Sequence, residues 1–166
     1  SVLSTPDDLT VTVNPAGVVG SLSGTSAVTP AAINLSTEGT ADWAHWGLTG
    51  AGSFNHKSGI TQQISNFVPI GNGTIQQYGN NPSLYSWTGG TPTAGVTNTS
   101  AGIYVIGLNN GFQVTAPADT TARTLKVYVG LWAAGGRLEA SLSDSSAPVY
   151  IDTSLLNSGG TSNGVY

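Results

Sequence analysis

Cysteine and methionine are both absent from the 166 residues of this chain. Without cysteine, the chain can form no disulfide and offers no thiolate for catalysis or metal binding. Without methionine, it has no initiator residue. We therefore expect a processed or excised piece of a longer protein, from which any export signal has already been removed.

Charge is also scarce, because only 7% of the residues are Asp, Glu, Lys or Arg, against roughly 25% in typical soluble domains. Four basic residues and a net charge of −4 cannot neutralise a row of phosphates, so we expect no nucleic-acid partner. No apolar run approaches the roughly 18 residues of a membrane span, so we expect no span. Gly, Ser, Thr and Asn replace the charged residues, which is typical of secreted proteins and predicts an extracellular or cell-surface location.

The strongest pattern in the chain is a pair of alternating stretches within residues 123–143. Apolar side chains occupy every second position, namely Leu125, Val127, Val129, Leu131 and then Leu138, Ala140, Leu142. Residues 133–136 lie between the two stretches and contain two glycines, which suit a tight turn. The pattern predicts a central β-hairpin with one buried face.

Most of the remaining chain is also typical of short strands separated by turns. The predicted strands include residues 9–13, 32–36, 60–70, 74–78, 84–88, 103–108, 112–116 and 149–151. Asn109, Asn110 and Gly111 predict a second hairpin, residues 157–163 predict a polar loop, and Leu155 and Leu156 predict one helical turn at most. About ten short strands predict an all-β fold, an antiparallel two-sheet β-sandwich with a jelly-roll-like arrangement.

Residues 42–46 hold the densest group of functional side-chain types, with two tryptophans and a histidine. Aromatic rings can stack on sugar rings while nearby polar groups bind the sugar hydroxyls. The candidate carbohydrate-binding residues are Asp42, Trp43, His45, Trp46, Asn55, Lys57, Tyr85 and Trp87. The alternative is that the tryptophans fill the core and that His45 is a satisfied, semi-buried polar group, because tryptophan is highly buried on average.

Catalytic and metal sites have less support in the sequence. The acidic residues show no pair of the kind that a glycosidase needs, and no nucleophile-elbow pattern marks a serine hydrolase. His45 and His56 lie too far apart for a local metal pair, and no calcium-loop spacing occurs. We therefore expect no catalytic residue, no metal and no cofactor, and a protein that is not an enzyme.

Three stretches, at residues 42–47 (DWAHWG), 85–93 (YSWTGGTPT) and 109–148, resemble a β-sandwich module that recurs in large secreted bacterial proteins. That module often stands beside other extracellular or carbohydrate-active domains. The resemblance covers about residues 20–166 and implies a β-sandwich domain there, with residues 1–19 as a strand-bearing extension or linker. In the module the chain continues past the position of Tyr166 and adds a final strand of alternating Thr and Val.

A Thr/Val alternation of that kind occurs here at residues 9–13. We therefore expect Leu9, Val11 and Val13 to form an assembly strand, facing inward, that fills a vacant place at a sheet edge. The strand would serve its own chain or enter the next copy, which would build a head-to-tail filament. The remaining alternative is that residues 1–13 belong to a neighbouring domain or linker.

The function predicted from these observations is a non-catalytic extracellular module with a structural or adhesive role, whose partners are copies of itself. The alternative is a carbohydrate-binding module with an exposed aromatic face, whose partner would be a polysaccharide.

Overall fold

The computed structural model describes residues 7–13, as backbone, and residues 19–166. The fold is nearly all-β, as predicted. In chain order the described strands are β1 (Asp7–Val13), β2 (Ala27–Val28), β3 (Ala32–Asn34), β4 (Ala44–Trp46), β5 (Phe54–Lys57), β6 (Val68–Ile70), β7 (Gln76–Tyr78), β8 (Leu84–Thr88), β9 (Gly90–Thr91), β10 (Gly95–Thr99), β11 (Gly102–Tyr104), β12 (Gly111–Ala118), β13 (Tyr128–Gly135), β14 (Leu138–Leu142), β15 (Tyr150–Asp152) and β16 (Leu156–Val165).

The described strands form five separate sheets, none of them closed on itself. The largest has the strand order β15-β14-β1-β12-β6. The others have the orders β10-β8-β3, β13-β16-β2, β4-β5-β9 and β11-β7.

Strand β1 lies at the centre of the five-stranded sheet and runs parallel to both of its neighbours, β12 and β14. Leu9 and Val11 are level with four residues of those neighbours: Val114, Ala116, Ala140 and Leu142. Of these four, Ala116, Ala140 and Leu142 are buried. The predicted strand at residues 9–13 is therefore confirmed, but it takes a central place and not a sheet edge. The side chains of Leu9, Val11 and Val13 lie outside the described residues, so their inward direction stays a prediction.

The predicted hairpin of residues 123–143 is wrong, although both of its strands exist. Strand β13 pairs with β16, whereas β14 pairs with β1 and β15. The alternation is correct for Leu138, Ala140 and Leu142 of the second strand, and for Leu131 of the first, which are buried. It is wrong for the start of the first strand, because Leu125 and Val127 precede β13 and are only partly buried, as is Val129. The backbone N–H of Gly136 donates to the carbonyl of Leu155 at 3.0 Å, so the chain leaves β13 along the β16 side before it enters another sheet.

Two further predictions fail for related reasons. The turn at Asn109 does not close a hairpin, because β11 pairs with β7 while β12 pairs with β1 and β6. The polar stretch 157–163 is not a loop but part of β16. Its Gly, Ser and Asn residues have low β-propensity, and pairing with β13 overrides that preference.

One α-helix, α1 (Leu35–Glu38), occurs where the sequence predicted the end of a strand. The side chain of Asn34 accepts a hydrogen bond from the backbone N–H of Ser36 at 3.0 Å, and the N–H of Gly39 closes the turn onto Leu35 at 2.8 Å. A single turn of four residues is too short to show helical periodicity. No helix in the described part of the chain is long and apolar enough to cross a membrane.

The largest buried cluster consists of Ile33, Leu35, Trp43, Tyr85 and Trp87. Tyr128 of β13 packs against this cluster. The ring centroids of Tyr85 and Tyr128 are 5.8 Å apart in an edge-to-face arrangement, which brings the β8 and β13 sheets together at the core.

Leucine-to-alanine substitutions on the paired strands β13 and β16 test the faces assigned here. Leu131 is 0% exposed and Leu156 is 67% exposed. We expect Leu131→Ala to lower the free energy of unfolding by about 2–5 kcal/mol, because it leaves a cavity. The matched control Leu156→Ala should stay within about 0.5 kcal/mol of the parent. Urea unfolding followed by circular dichroism measures both, and equal losses would contradict the assignment.

Candidate functional site

The predicted carbohydrate-binding rings come together at strands β4 and β8, but they lie in the core. The ring centroid of Trp87 is 5.5 Å from that of Trp43 and 4.8 Å from that of His45. Trp43 is 3% exposed and Trp87 is 1% exposed, and Tyr85 is buried beside them. This burial is what the packing interpretation predicts, and it leaves these ring faces closed to a sugar.

His45 is buried and only half satisfied. Its Nε2 contacts the carbonyl of Ala101 at 3.1 Å, and since a carbonyl only accepts, Nε2 carries the proton. Its Nδ1 has no hydrogen-bond partner, and neither has the buried Nε1 of Trp43. Burial lowers the pKa of His45 to about 4, while the hydrogen bond to Ala101 acts in the opposite direction. The imidazole is therefore neutral near pH 7, and the expectation that it is fully satisfied is wrong.

The carboxylate of Asp42 holds two segments of backbone together. Its Oδ1 accepts a hydrogen bond from the N–H of Trp43, and its Oδ2 accepts from the N–H groups of Gln63 and Ile64, all at 2.8 Å. Hydrogen bonds from backbone amides to a carboxylate are among the stronger ones in proteins. The geometry therefore gives Asp42 a structural role.

Asn55 and Lys57 of β5 are also engaged with the backbone. The Oδ1 of Asn55 accepts from the N–H of Thr93 at 3.1 Å, and the whole side chain is buried. The Nζ of Lys57 donates to the carbonyl of Gly39 at 3.3 Å and also to that of Thr40. Both side chains fix loops around the core, and neither is directed at open solvent.

Trp46 is the one predicted ring of this group that is only partly buried. It stacks on Phe54, with centroids 5.7 Å apart and an interplanar angle of 12°, and its Nε1 donates to Oδ1 of Asn66 at 2.8 Å. The ring of His56 continues the row, 5.1 Å from Phe54. Trp46 was among the predicted site residues, whereas Phe54 and His56 were not. They join it because β4 and β5 pair in register.

The exposed tryptophan that the sequence analysis missed is Trp132, at 61% exposure. It borders a groove of about 710 Å³ together with Ile106, Leu108 and several amide side chains. The available signal was its place in the alternation of the sequence, in which Trp132 falls on the polar side with Lys126 and not on the apolar side with Leu131. Packing into the core does not account for an aromatic ring on the solvent face of a strand.

The described residues contain no group of three or more His, Asp or Glu side chains that could hold a metal ion. Several carboxylates are instead paired with single basic side chains, namely Glu38 with Lys126, Asp119 with Arg123, and Glu139 with Arg137. The hydrogen bond from Arg123 lowers the pKa of Asp119 to about 2. The first two pairs are exposed and each contributes little to stability, whereas the pair of Glu139 and Arg137 is partly buried.

Comparison with protein-family models finds no match to this chain, and comparisons with curated proteins and with solved structures find none either. Function is therefore inferred from the contacts, burial and charge of the described residues.

Acid should destabilise the protein through His45, because protonation would place an unpaired charge in the core. Its pKa is about 4 in the folded protein against the ordinary value of 6.5. The stability that depends on the neutral ring is full above pH 6.5 and is lost as the pH falls toward 4. This difference corresponds to about 3 kcal/mol. We expect urea unfolding to show this loss in the parent and a much smaller one in His45→Gln.

The matched control is His56→Gln, which changes the other histidine, on the partly exposed face of β5. It should keep the pH dependence of the parent. If His45→Gln keeps that dependence as well, the imidazole of His45 is solvated and the assigned burial is wrong.

Proposed function

We propose that this protein is a non-catalytic extracellular structural module whose copies join into a filament by donating strand β1 to one another. The observation that carries the proposal is the position of β1, which lies between β12 and β14 and is parallel to both. An adhesive or scaffolding role follows from such assembly.

The backbone pattern supports strand donation. Parallel strands cannot be joined by a tight hairpin, so no local turn ties β1 to either neighbour. Without β1, strand β12 would pair only with β6, and β14 only with β15. Each would then expose a row of unpaired N–H and C=O groups, which is a template for another strand. The rest of the sheet thus has a vacancy that an extended segment from any copy can fill.

The side chains around this vacancy match the alternation of the strand. Leu9 and Val11 are level with the buried Ala140 and Leu142 of β14. Thr10, between them, is level with Ser141, which is only partly buried. A slip by one residue would exchange the threonines for the apolar residues, so the register is specific.

Residues 20–24 pack on two strands of the same sheet, β14 and β15. Gly20 packs against Leu142 and Ser146, and Gly24 packs against the ring of Tyr150, so closely that a Cβ at either position would collide. Residues 20–24 are therefore seated on β14 and β15. Exchange of β1 between copies would not have to disturb this packing.

The two-sheet β-sandwich with a jelly-roll-like arrangement is part of this proposal, and the contact between Tyr85 and Tyr128 supports it by linking two sheets across the core. The extracellular location rests on the low charge and on the Gly, Ser, Thr and Asn that replace the charged residues. Carbohydrate binding by Trp43 and Trp87 is not included, because both rings are buried.

A cysteine pair distinguishes donation between copies from insertion within one chain. The chain has no cysteine, so Thr10→Cys with Ser141→Cys introduces two thiols at level positions of β1 and β14. Neighbouring strands lie about 4.8 Å apart, within reach of a disulfide. After oxidation at high protein concentration, we expect a ladder of covalent multimers on a non-reducing denaturing gel.

The single variant Thr10→Cys is the control and should give dimers at most. A doubly substituted chain that forms its disulfide only within monomers would contradict donation between copies while leaving the position of β1 intact. Failure to form any disulfide would contradict the position of β1 itself.

A second pair of variants tests the register by assembly. Val11→Asp places a charge level with the buried Ala116 and Leu142, and an unpaired buried charge is costly. We expect this variant to stay monomeric in light-scattering measurements. The matched Thr10→Asp should still form filaments, because its level neighbours are partly exposed. Identical assembly of both variants would contradict the proposed register.

A further inference from the structure

The exposed Trp132 lies next to an irregularity in the backbone of β13. The pairing of β13 with β16 shifts its register between Trp132 and Ala134, and Ala133 has a φ of 50°. Bulges of this kind bend a strand and redirect its side chains, and a residue with a Cβ adopts a positive φ at an energetic cost. The strand is therefore distorted at the residue next to the exposed indole.

Trp132 lines one side of a groove formed by separate parts of the chain. The groove has a volume of about 710 Å³ and also includes Ile106 and Leu108 from the segment after β11. Both of these side chains are exposed, and the ring of Tyr104 lies beside them in the same groove. A concave surface with apolar walls and a few polar groups is the usual form of a ligand site.

The polar groups of this groove are neutral. They are four amides, one hydroxyl and two phenols, from Gln77, Asn80, Asn81, Asn163, Thr161, Tyr78 and Tyr104, and the described lining contains no Asp, Glu, Lys or Arg. Some are already engaged, since Nδ2 of Asn163 donates to Oδ1 of Asn81 at 2.8 Å. The exposed side chains of Asn80 and Thr161 make no hydrogen bond to another described residue. They offer both donors and acceptors to a ligand.

We propose that this groove binds a neutral polysaccharide, with one sugar ring lying on the indole of Trp132 and its hydroxyls bonded by Asn80 and Thr161. An apolar ring face combined with a hydroxyl-rich rim is the chemistry of a sugar, and the neutral lining gives no ion pair to an anionic chain. Protein interfaces, by contrast, are typically enriched in Arg as well as in aromatic residues. The proposal is independent of strand donation, because Trp132 and β1 belong to different sheets.

Native gel electrophoresis in the presence of soluble polysaccharides tests the site. The probes are laminarin, xyloglucan, glucomannan and soluble starch, with polygalacturonate as the anionic control. We expect at least one neutral probe to retard the parent protein and polygalacturonate to leave it unretarded. Trp132→Ala should weaken this binding at least about tenfold, whereas Trp132→Tyr should keep most of it. Leu156→Ala, another exposed apolar side chain, is the matched control and should bind like the parent.

Three further measurements test the site and control for folding. The double variant Asn80→Ala with Thr161→Ala leaves the indole in place and should also weaken retardation, and thermal melting verifies that every variant is folded. Bound polysaccharide should protect tryptophan emission from acrylamide, because Trp132 is the most exposed tryptophan of the chain.

The proposal is overturned if no neutral probe retards the parent, or if Trp132→Ala is retarded as strongly as the parent. It is also overturned if Trp132→Ala reduces only the association between copies, since the groove would then be a protein interface.

Discussion

The pairing of β1 with β12 and β14 holds the five-stranded sheet together. In the strand order of that sheet, β12 and β14 are each paired with β1 and not with each other. Without β1, the facing N–H and C=O groups of β12 and β14 would lose their partners. A buried backbone group without a partner costs free energy comparable to a lost hydrogen bond. The buried side chains of Ala116, Ala140 and Leu142 would be uncovered at the same time. The integrity of the sheet therefore depends on a strand from the very beginning of the chain.

Strands β13 and β14 show most clearly which parts of this fold the sequence predicts. The period-2 alternation correctly identified β14 and the buried residues Leu131 and Leu138, because alternation depends only on which face meets the core. It placed the first strand too early, since β13 begins at Tyr128 and continues through part of the predicted turn. It could not identify their partners. Strand β13 pairs with Leu156–Val165, a segment of Gly, Ser and Asn without apolar alternation, so nothing local marked it as a strand. Pairing between distant segments is decided by the assembled core, which a local pattern does not contain.

At the candidate site, the sequence predicted which side chains come together but not which of them are exposed to solvent. Residues 42–46 predicted a group of rings and polar side chains, and the structure does bring Trp43, His45 and Trp87 together. Whether a ring fills a core or faces solvent depends on the sheet packed against it, which the sequence around Trp43 does not state. The alternation placed Trp132 on the polar side of its strand, whereas the bulge at Ala133 is a backbone feature that an alanine does not signal.

The four basic residues of the chain give the central place of β1 one more consequence. Arg123 and Lys126 are both exposed and lie in the strand-free stretch between β12 and β13, so a protease specific for Lys and Arg would first cut there. The cut leaves β1, β2 and β12 in the first fragment and β14 and β16 in the second. Strand β1 still pairs with β14 across the cut, and β2 still pairs with β16. The two fragments would remain one particle by size and come apart only in denaturant, because the sheet and not the continuity of the chain joins them.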